Sequence, residues 1–254
     1  MARQIGGSGD YVNNTDANAG CSARGTGTTW TLILWFVASD NAAGSGFAAL
    51  YAEDFAGDTS LSIQMNTNGT LKFFYRPGGF GQPTFTITSG GAYDDDIWHW
   101  LMFTCTADNA YEAFVDGVSV GTDTTSITQT ATLNNTYIGA VGANQLPVGS
   151  RMARCANFKV ALTLGEGAAF AYGQFVRHPN LWWELGIAST EPDWSGNGYS
   201  GTVNSSMPDG SNPPIGPWFG IDRGWQGEKE AVERLEKWFQ QTYPVRHAPA
   251  LVTY

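Results

Sequence analysis

The stretch from Asp94 to Gly121 constrains the fold more than any other. It opens with Asp94-Asp95-Asp96-Ile97-Trp98-His99 and continues as an aromatic, apolar run to Cys105. Residues 107–110 break the run. The next segment alternates, with Tyr111, Ala113 and Val115 on one side. Asp116-Gly117 follows as a two-residue turn of the kind a hairpin prefers, because glycine takes a positive φ without a Cβ clash. Val118 and Val120 begin a return strand. Three consecutive strands joined by short turns commit this region to an antiparallel meander.

The remaining pattern is of the same kind. Residues 30–37 are almost wholly apolar, with Trp30, Leu32, Leu34 and Phe36 on one face and Thr31, Ile33, Trp35 and Val37 on the other. A strand apolar on both faces belongs in the middle of a covered sheet. Residues 47–52 predict a strand and 53–58 a polar loop. Leu61, Ile63 and Met65 alternate with polar residues, Asn68-Gly69 turns the chain, and 71–75 return it as a hairpin. A loop at 77–83 carries Phe80 at its tip. Further strands are predicted at 84–88, 137–140, 152–160, 181–185 and 199–203, with a short helix over 161–173. The 32 glycines and the low charged fraction, 14%, suit many short strands joined by turns.

Trp98-His99 after an acidic turn, followed by Val115-Asp116-Gly117 in a hairpin, resembles the laminin-G-like, concanavalin-A-like jelly rolls. The opening at 6–12, a glycine-rich turn before Tyr11, resembles the first strand of that family. Leu162, Thr163 and Glu166 match its strand-to-helix step, with Thr163 as N-cap and Glu166 closing a capping box. The resemblance implies an all-β fold, two antiparallel sheets packed as a jelly-roll sandwich, with a short helix; the helical spacing of the tail adds a C-terminal helix plus extended arm. Asp193-Trp194-Ser195-Gly196-Asn197-Gly198 leading into 199–203 resembles a segment that often opens such domains. Its late position predicts that 199–203 lies beside the first strand, 6–12. Trp98, at a strand start in the motif, is expected to be a buried core residue.

The formal net charge of −10 repels both nucleic acid and anionic lipid, so neither is an expected partner. The N-terminal residues lack the apolar core of a signal peptide, and no apolar run is long enough to span a membrane. Cys21, Cys105 and Cys155 have no metal-binding spacing. Cys105 and Cys155 sit in apolar strand patterns and read as buried free thiols. The strand of alternating carboxylates that marks glucanases of this fold is missing, and Glu53-Asp54 with Asp58 has loop spacing instead. His99, His178 and His247 lie in unrelated contexts. No catalytic residue, metal or other cofactor is therefore expected, and Asp94, Asp95 and Asp96 read as a solvated acidic turn.

The domain is expected to end near residue 220, with a C-terminal helix and arm over 221–254. Within the tail, 228–243 carries Val232, Leu235, Trp238, Phe239 and Tyr243 at helical spacing, an apolar stripe suited to assembly. The family resemblance extends to phage virion proteins. The first expected function is thus a non-enzymatic virion structural protein, a capsid decoration or head or tail surface protein. It would be made in the host cytoplasm and shown on the virion surface, with a homo-oligomer and other virion proteins as partners. The alternatives are a carbohydrate-binding, lectin-like module and a glycan-active hydrolase or lyase. For the carbohydrate reading, loop aromatics Phe80, Trp194 and Trp218 are the candidate contacts to a host-surface glycan.

Overall fold

The computed structural model describes residues 2–5, 9–20, 29–39, 47–55, 58–75, 85–107, 109–126, 135–141, 144–186, 189–204, 207, 209–210 and 213. All lie in one compact unit, Met1–Pro214. The predicted 77–83 loop with Phe80, residue Cys21, Trp218 and the 228–243 stripe fall outside the described residues.

In chain order the first strands are β1 (Ala2–Gln4), β2 (Tyr11–Asn14), β3 (Trp30–Val37), β4 (Phe47–Phe55), β5 (Asp58–Asn66) and β6 (Thr70–Tyr75). Next come β7 (Phe85–Ala92), β8 (His99–Ala107), β9 (Ala110–Val115), β10 (Val118–Asp123), β11 (Asn135–Ile138), β12 (Ala140–Val141), β13 (Asn144–Gln145) and β14 (Arg151–Phe158). Helix α1 (Leu164–Ala171) precedes β15 (Leu181–Trp183), β16 (Thr190–Glu191), β17 (Gly201–Asn204) and β18 (Asp209–Gly210).

One sheet has the order β10-β9-β8-β3-β14-β1-β18, with β15 also paired to β14. The second has the order β16-β17-β2-β11-β4-β5-β6-β7, and β12 and β13 form a separate ribbon. The pairings are antiparallel, and the two inner faces share one apolar core, so the fold is the expected jelly-roll sandwich.

Strand β3 is buried along its whole length at the centre of the first sheet, as its two-faced apolarity requires. Trp30, Leu32, Leu34 and Phe36 enter the inter-sheet core. On the other face Trp35 meets the end of α1: its Nε1 donates to the Ala171 carbonyl at 2.8 Å, and Tyr172 packs edge-on at 5.6 Å. The helix starts where the capping box puts it, with Thr163 and Glu166 satisfying each other's backbone amides. The meander is β8-β9-β10, and its turn places Asp116 and Gly117 at φ 50° and 79°, a mirror-image turn that glycine at the second position makes easy. The late strand lies beside the early one, with Val203 opposite Val12.

Four local readings are corrected. Strand β1 was not visible in the sequence. It holds to β14 by two register pairs and to the chain's later part through Arg3, whose Nε donates to Glu191 at 2.6 Å and whose guanidinium reaches the Met207 carbonyl. The early strand covers Tyr11–Asn14 rather than 6–12. Residues 53–55 continue β4, because Glu53 turns inward to accept from the Tyr51 hydroxyl at 2.6 Å while Asp54 points outward to Asn135. The 94–96 turn needs no correction: Asp95 and Asp96 are exposed, Asp96 accepts from the Ser39 hydroxyl at 2.8 Å and its amide donates to the Ala38 carbonyl.

Trp98 is the fourth. It is half-buried, not a core residue. The strand begins at His99, and Leu101, Phe103 and Cys105 are the residues of that strand in the core, so Trp98 has the parity of the outer face. There it packs edge-on against Trp35 at 6.4 Å with the Arg151 guanidinium 6.0 Å from its ring. Trp98→Ala is accordingly expected to give soluble, folded protein destabilised by about 1–2 kcal/mol, the ordinary cost of a non-core substitution with some packing. A urea melt checks this; loss of all folded protein would put Trp98 back in the core.

Candidate functional site

The second sheet sorts its residues by parity. One row across it, Val203, Val12, Ile138, Tyr51, Ile63, Phe73 and Ile87, faces the core. The row beside it, Thr202, Asn13, Tyr137, Ala52, Ser62, Phe74 and Thr86, therefore lies on the outer face. Tyr11 and Asn204, Asn135 and Asp54, and Gln64 and Lys72 flank it as opposed pairs on the same face.

Chemically this face is divided. Its middle is a strip of small or self-satisfied groups: Ala49, Ala52 and Ser62 are fully buried, and Gln64 donates to the Ser62 hydroxyl at 2.7 Å. On one side stand half-buried Tyr11 and Tyr137, edge to face at 5.9 Å. On the other stands half-buried Phe74, with the Lys72 ammonium 5.3 Å from its ring. Polar planes complete the tyrosine side. The Asn135 amide donates to Asp54 at 3.0 Å, the Tyr137 hydroxyl also bonds Asp54, and the Asn204 amide donates to Asn13 at 2.7 Å.

Burial pushes the Asp54 carboxyl up, against the hydrogen bonds from Asn135 and Tyr137. Burial also pushes the Tyr137 phenol up, with the neighbouring Asp54 charge adding to it. Aromatic edges and faces beside fixed amide and carboxylate groups are the chemistry that holds a polyol: rings take its C–H surface, and amides and acids take its hydroxyls.

Trp194, a sequence candidate, is 53% exposed on the 193–198 turn. That turn is rigidly built. Asp193 accepts from the amides of Trp182, Ser195 and Tyr199 and from the Ser195 hydroxyl, while the Trp194 amide donates to the Trp182 carbonyl. Trp194 thus sits on the connection between β16 and β17, apart from the tyrosine row. Phe80 and Trp218 lie outside the described residues, as do Val232, Leu235, Trp238, Phe239 and Tyr243, so only one of the predicted contacts is placed.

Three buried glutamates are held by fold partners. Glu191 takes Arg3 and the Gly186 amide, Glu184 takes Arg154 and the Trp182 indole, and Glu53 takes Tyr51. On the outer face of the second sheet, Asp54 is the one carboxylate among the described side chains. Cys105 and Cys155 are buried thiols, as expected; burial and then the Glu53 charge push the Cys155 thiol well up, so it is inert.

Two antiparallel sheets around one core, with a capped helix across the outside of the first, define a lectin-type jelly roll. A family model described as the concanavalin A-like lectin/glucanases superfamily matches residues 6–166. The chain belongs to that superfamily. Compared with curated proteins, it has no significant match. Among solved structures it is similar to the botulinum neurotoxin serotype D binding domain, with TM-score 0.51, 10% identity, and 70% of this chain and 44% of that one covered. It is also similar to a heptameric pentraxin from Limulus polyphemus (TM-score 0.48, 10% identity, 67% and 80% covered). The Ruminococcus gnavus sialidase CBM40, solved with α2,3-sialyllactose, gives TM-score 0.49 at 14% identity, with 67% and 98% covered. At such identities the likeness shows the fold alone.

Proposed function

We propose that the chain is a non-enzymatic, lectin-like binding module that holds a glycan against the outer face of its second sheet, carried on the surface of a phage particle. The observation that carries the binding role is the convergence of Tyr11 and Tyr137 with the Asn135–Asp54 and Asn13–Asn204 pairs on one face. Among the described side chains of that face Asp54 is the one carboxylate, which supports binding over hydrolysis, because retaining and inverting glycosidases both work with two. The test is a glycan array with the wild-type protein and Tyr137→Ala. Wild-type binding that falls at least tenfold in the variant, with no release of reducing ends from the bound sugar, supports the reading. Reducing-end release that disappears on Asp54→Asn would make the protein an enzyme.

The second reading is a virion structural protein with no sugar ligand. The apolar residues Val232, Leu235, Trp238, Phe239 and Tyr243, at helical spacing in the sequence, favour it, since such a stripe suits a homo-oligomer or docking to a capsid or tail protein. A silent glycan array together with the protein on purified particles would select this reading. Absence from particles would remove the phage setting from both.

A further inference from the structure

The motif residue His99 packs on core residue Phe36 but also makes two polar contacts that the glycan reading does not use. Its ring is largely buried, with Phe36 stacked at a tilt 5.7 Å away and Tyr93 edge-on at 5.1 Å. Both ring nitrogens meet carboxylates. Nδ1 lies 2.6 Å from Asp116 Oδ2 and Nε2 lies 3.0 Å from Asp95 Oδ1. An ionised carboxylate only accepts, so each nitrogen must carry a proton to make its bond. A neutral imidazole carries one N–H. The observed pair of contacts therefore describes the imidazolium, with a carboxylate on either side.

The two carboxylates belong to different elements. Asp95 lies in the 94–97 loop and also accepts from the Ile97 amide at 3.1 Å. Asp116 is the first residue of the β9–β10 turn, and its Oδ1 accepts from the Trp100 amide at 3.0 Å. Each carries an exposed aliphatic neighbour, Ile97 at 59% and Val118 at 66% exposure. We infer that His99 is a proton-operated latch, which when charged ties the 94–97 loop to the Asp116–Gly117 turn and when neutral drops that tie, leaving Asp96 on Ser39 and Ala38 to hold the loop.

The sign follows from the neighbours. Burial by itself lowers the His99 pKa, but the hydrogen bonds and charges of Asp116 and Asp95 outweigh it and raise the pKa above the ordinary histidine value. The other ionisable group against the ring is the Tyr93 phenol, pushed up by burial and by Asp116, and hence neutral through this range. Asp94 and Asp96 flank Asp95 in the loop and add negative charge there. A group whose folded pKa is raised contributes below its unfolded pKa and loses that contribution as pH rises through the folded one. The latch is closed on the acid side of the raised His99 pKa and opens as pH climbs through it. Between the two pKa values the opening equilibrium grows by up to about tenfold per pH unit, the limit for one proton.

The test is a pH titration of the intact protein followed by nitrogen NMR of His99, with hydrogen exchange at the Ile97 and Trp100 amides, corrected for intrinsic rates. The latch predicts a His99 pKa above about 6.5, both ring nitrogens protonated on the acid side of it, and loss of Ile97 protection as pH rises through it. Asp95→Asn should lower that pKa while leaving the rest of the spectrum in place. His99 titrating at or below about 6.5 in the wild type, or Ile97 protection indifferent to His99's charge, overturns the proposal without needing any variant to fold.

Discussion

Truncating Trp30 to alanine is expected to cost about 3–5 kcal/mol, the range for a buried large aromatic, and to leave little folded protein. Trp30 starts the central strand of the first sheet and is 1% exposed. Its indole meets Phe103 edge-on at 5.0 Å within its own sheet and Tyr75 at 5.8 Å from the opposite one. Tyr111 lies 6.4 Å away and itself stacks on Phe85 at 4.3 Å. One side chain thus joins the aromatic residues of both sheets, and removing it leaves a cavity that strands fixed by their ladders cannot close. Trp30→Phe keeps a ring and should lose less than half as much. Urea unfolding of the two variants gives the comparison; equal and small losses would show that the cluster is not what joins the sheets.

Glu184→Ala is expected to be as damaging, by a different route. Arg154 is 1% exposed, and its Nε donates to Glu184 at 2.6 Å. Its guanidinium also donates to the Phe170 and Ala171 carbonyls at the end of α1, and the Trp182 indole donates to the same Glu184 oxygen at 2.7 Å. Removing the carboxylate strands a buried cation, which costs about 3–5 kcal/mol. The double replacement Arg154→Met with Glu184→Leu removes both charges and should recover much of the loss, since a buried pair is often worth no more than well-packed apolar residues. Should the single variant melt like wild type, the pair would be a passenger in the fold.

Much of the sandwich was legible because its signals are local. Alternation in β5 and β9, the two-faced apolarity of β3, Asp116-Gly117, and the Thr163–Glu166 box each act within a few residues, and each element formed where its pattern lies. The neighbourhood of β17 and β2 was legible only through the family's strand order. What the residues hid was cooperative. Ala2–Gln4 is too short for periodicity and is defined by its pairing with β14 and the buried Arg3–Glu191 contact, 188 residues apart. Glu53 looked like a loop residue because its inward satisfaction by Tyr51 depends on the sandwich being closed.

The candidate face was missed for the same reason. Loop aromatics are visible one at a time, so Trp194 stood out, and its exposure is as expected. Asn13 meets Asn204 across 191 positions and Asp54 meets Asn135 across 81, so no window of sequence contains the site. The available signal was parity: in β4 and β11, Asp54 and Tyr137 have by plain alternation the opposite parity to core residues Tyr51 and Ile138.

The most direct test of the account is chemical-shift mapping with an oligosaccharide selected on the array. Binding at the second sheet predicts saturable shifts at Tyr11, Asn13, Asn135, Tyr137 and Phe74, while Trp194 stays unmoved. Saturable shifts confined to Trp194 and its turn, or none on the tyrosine row, would contradict it.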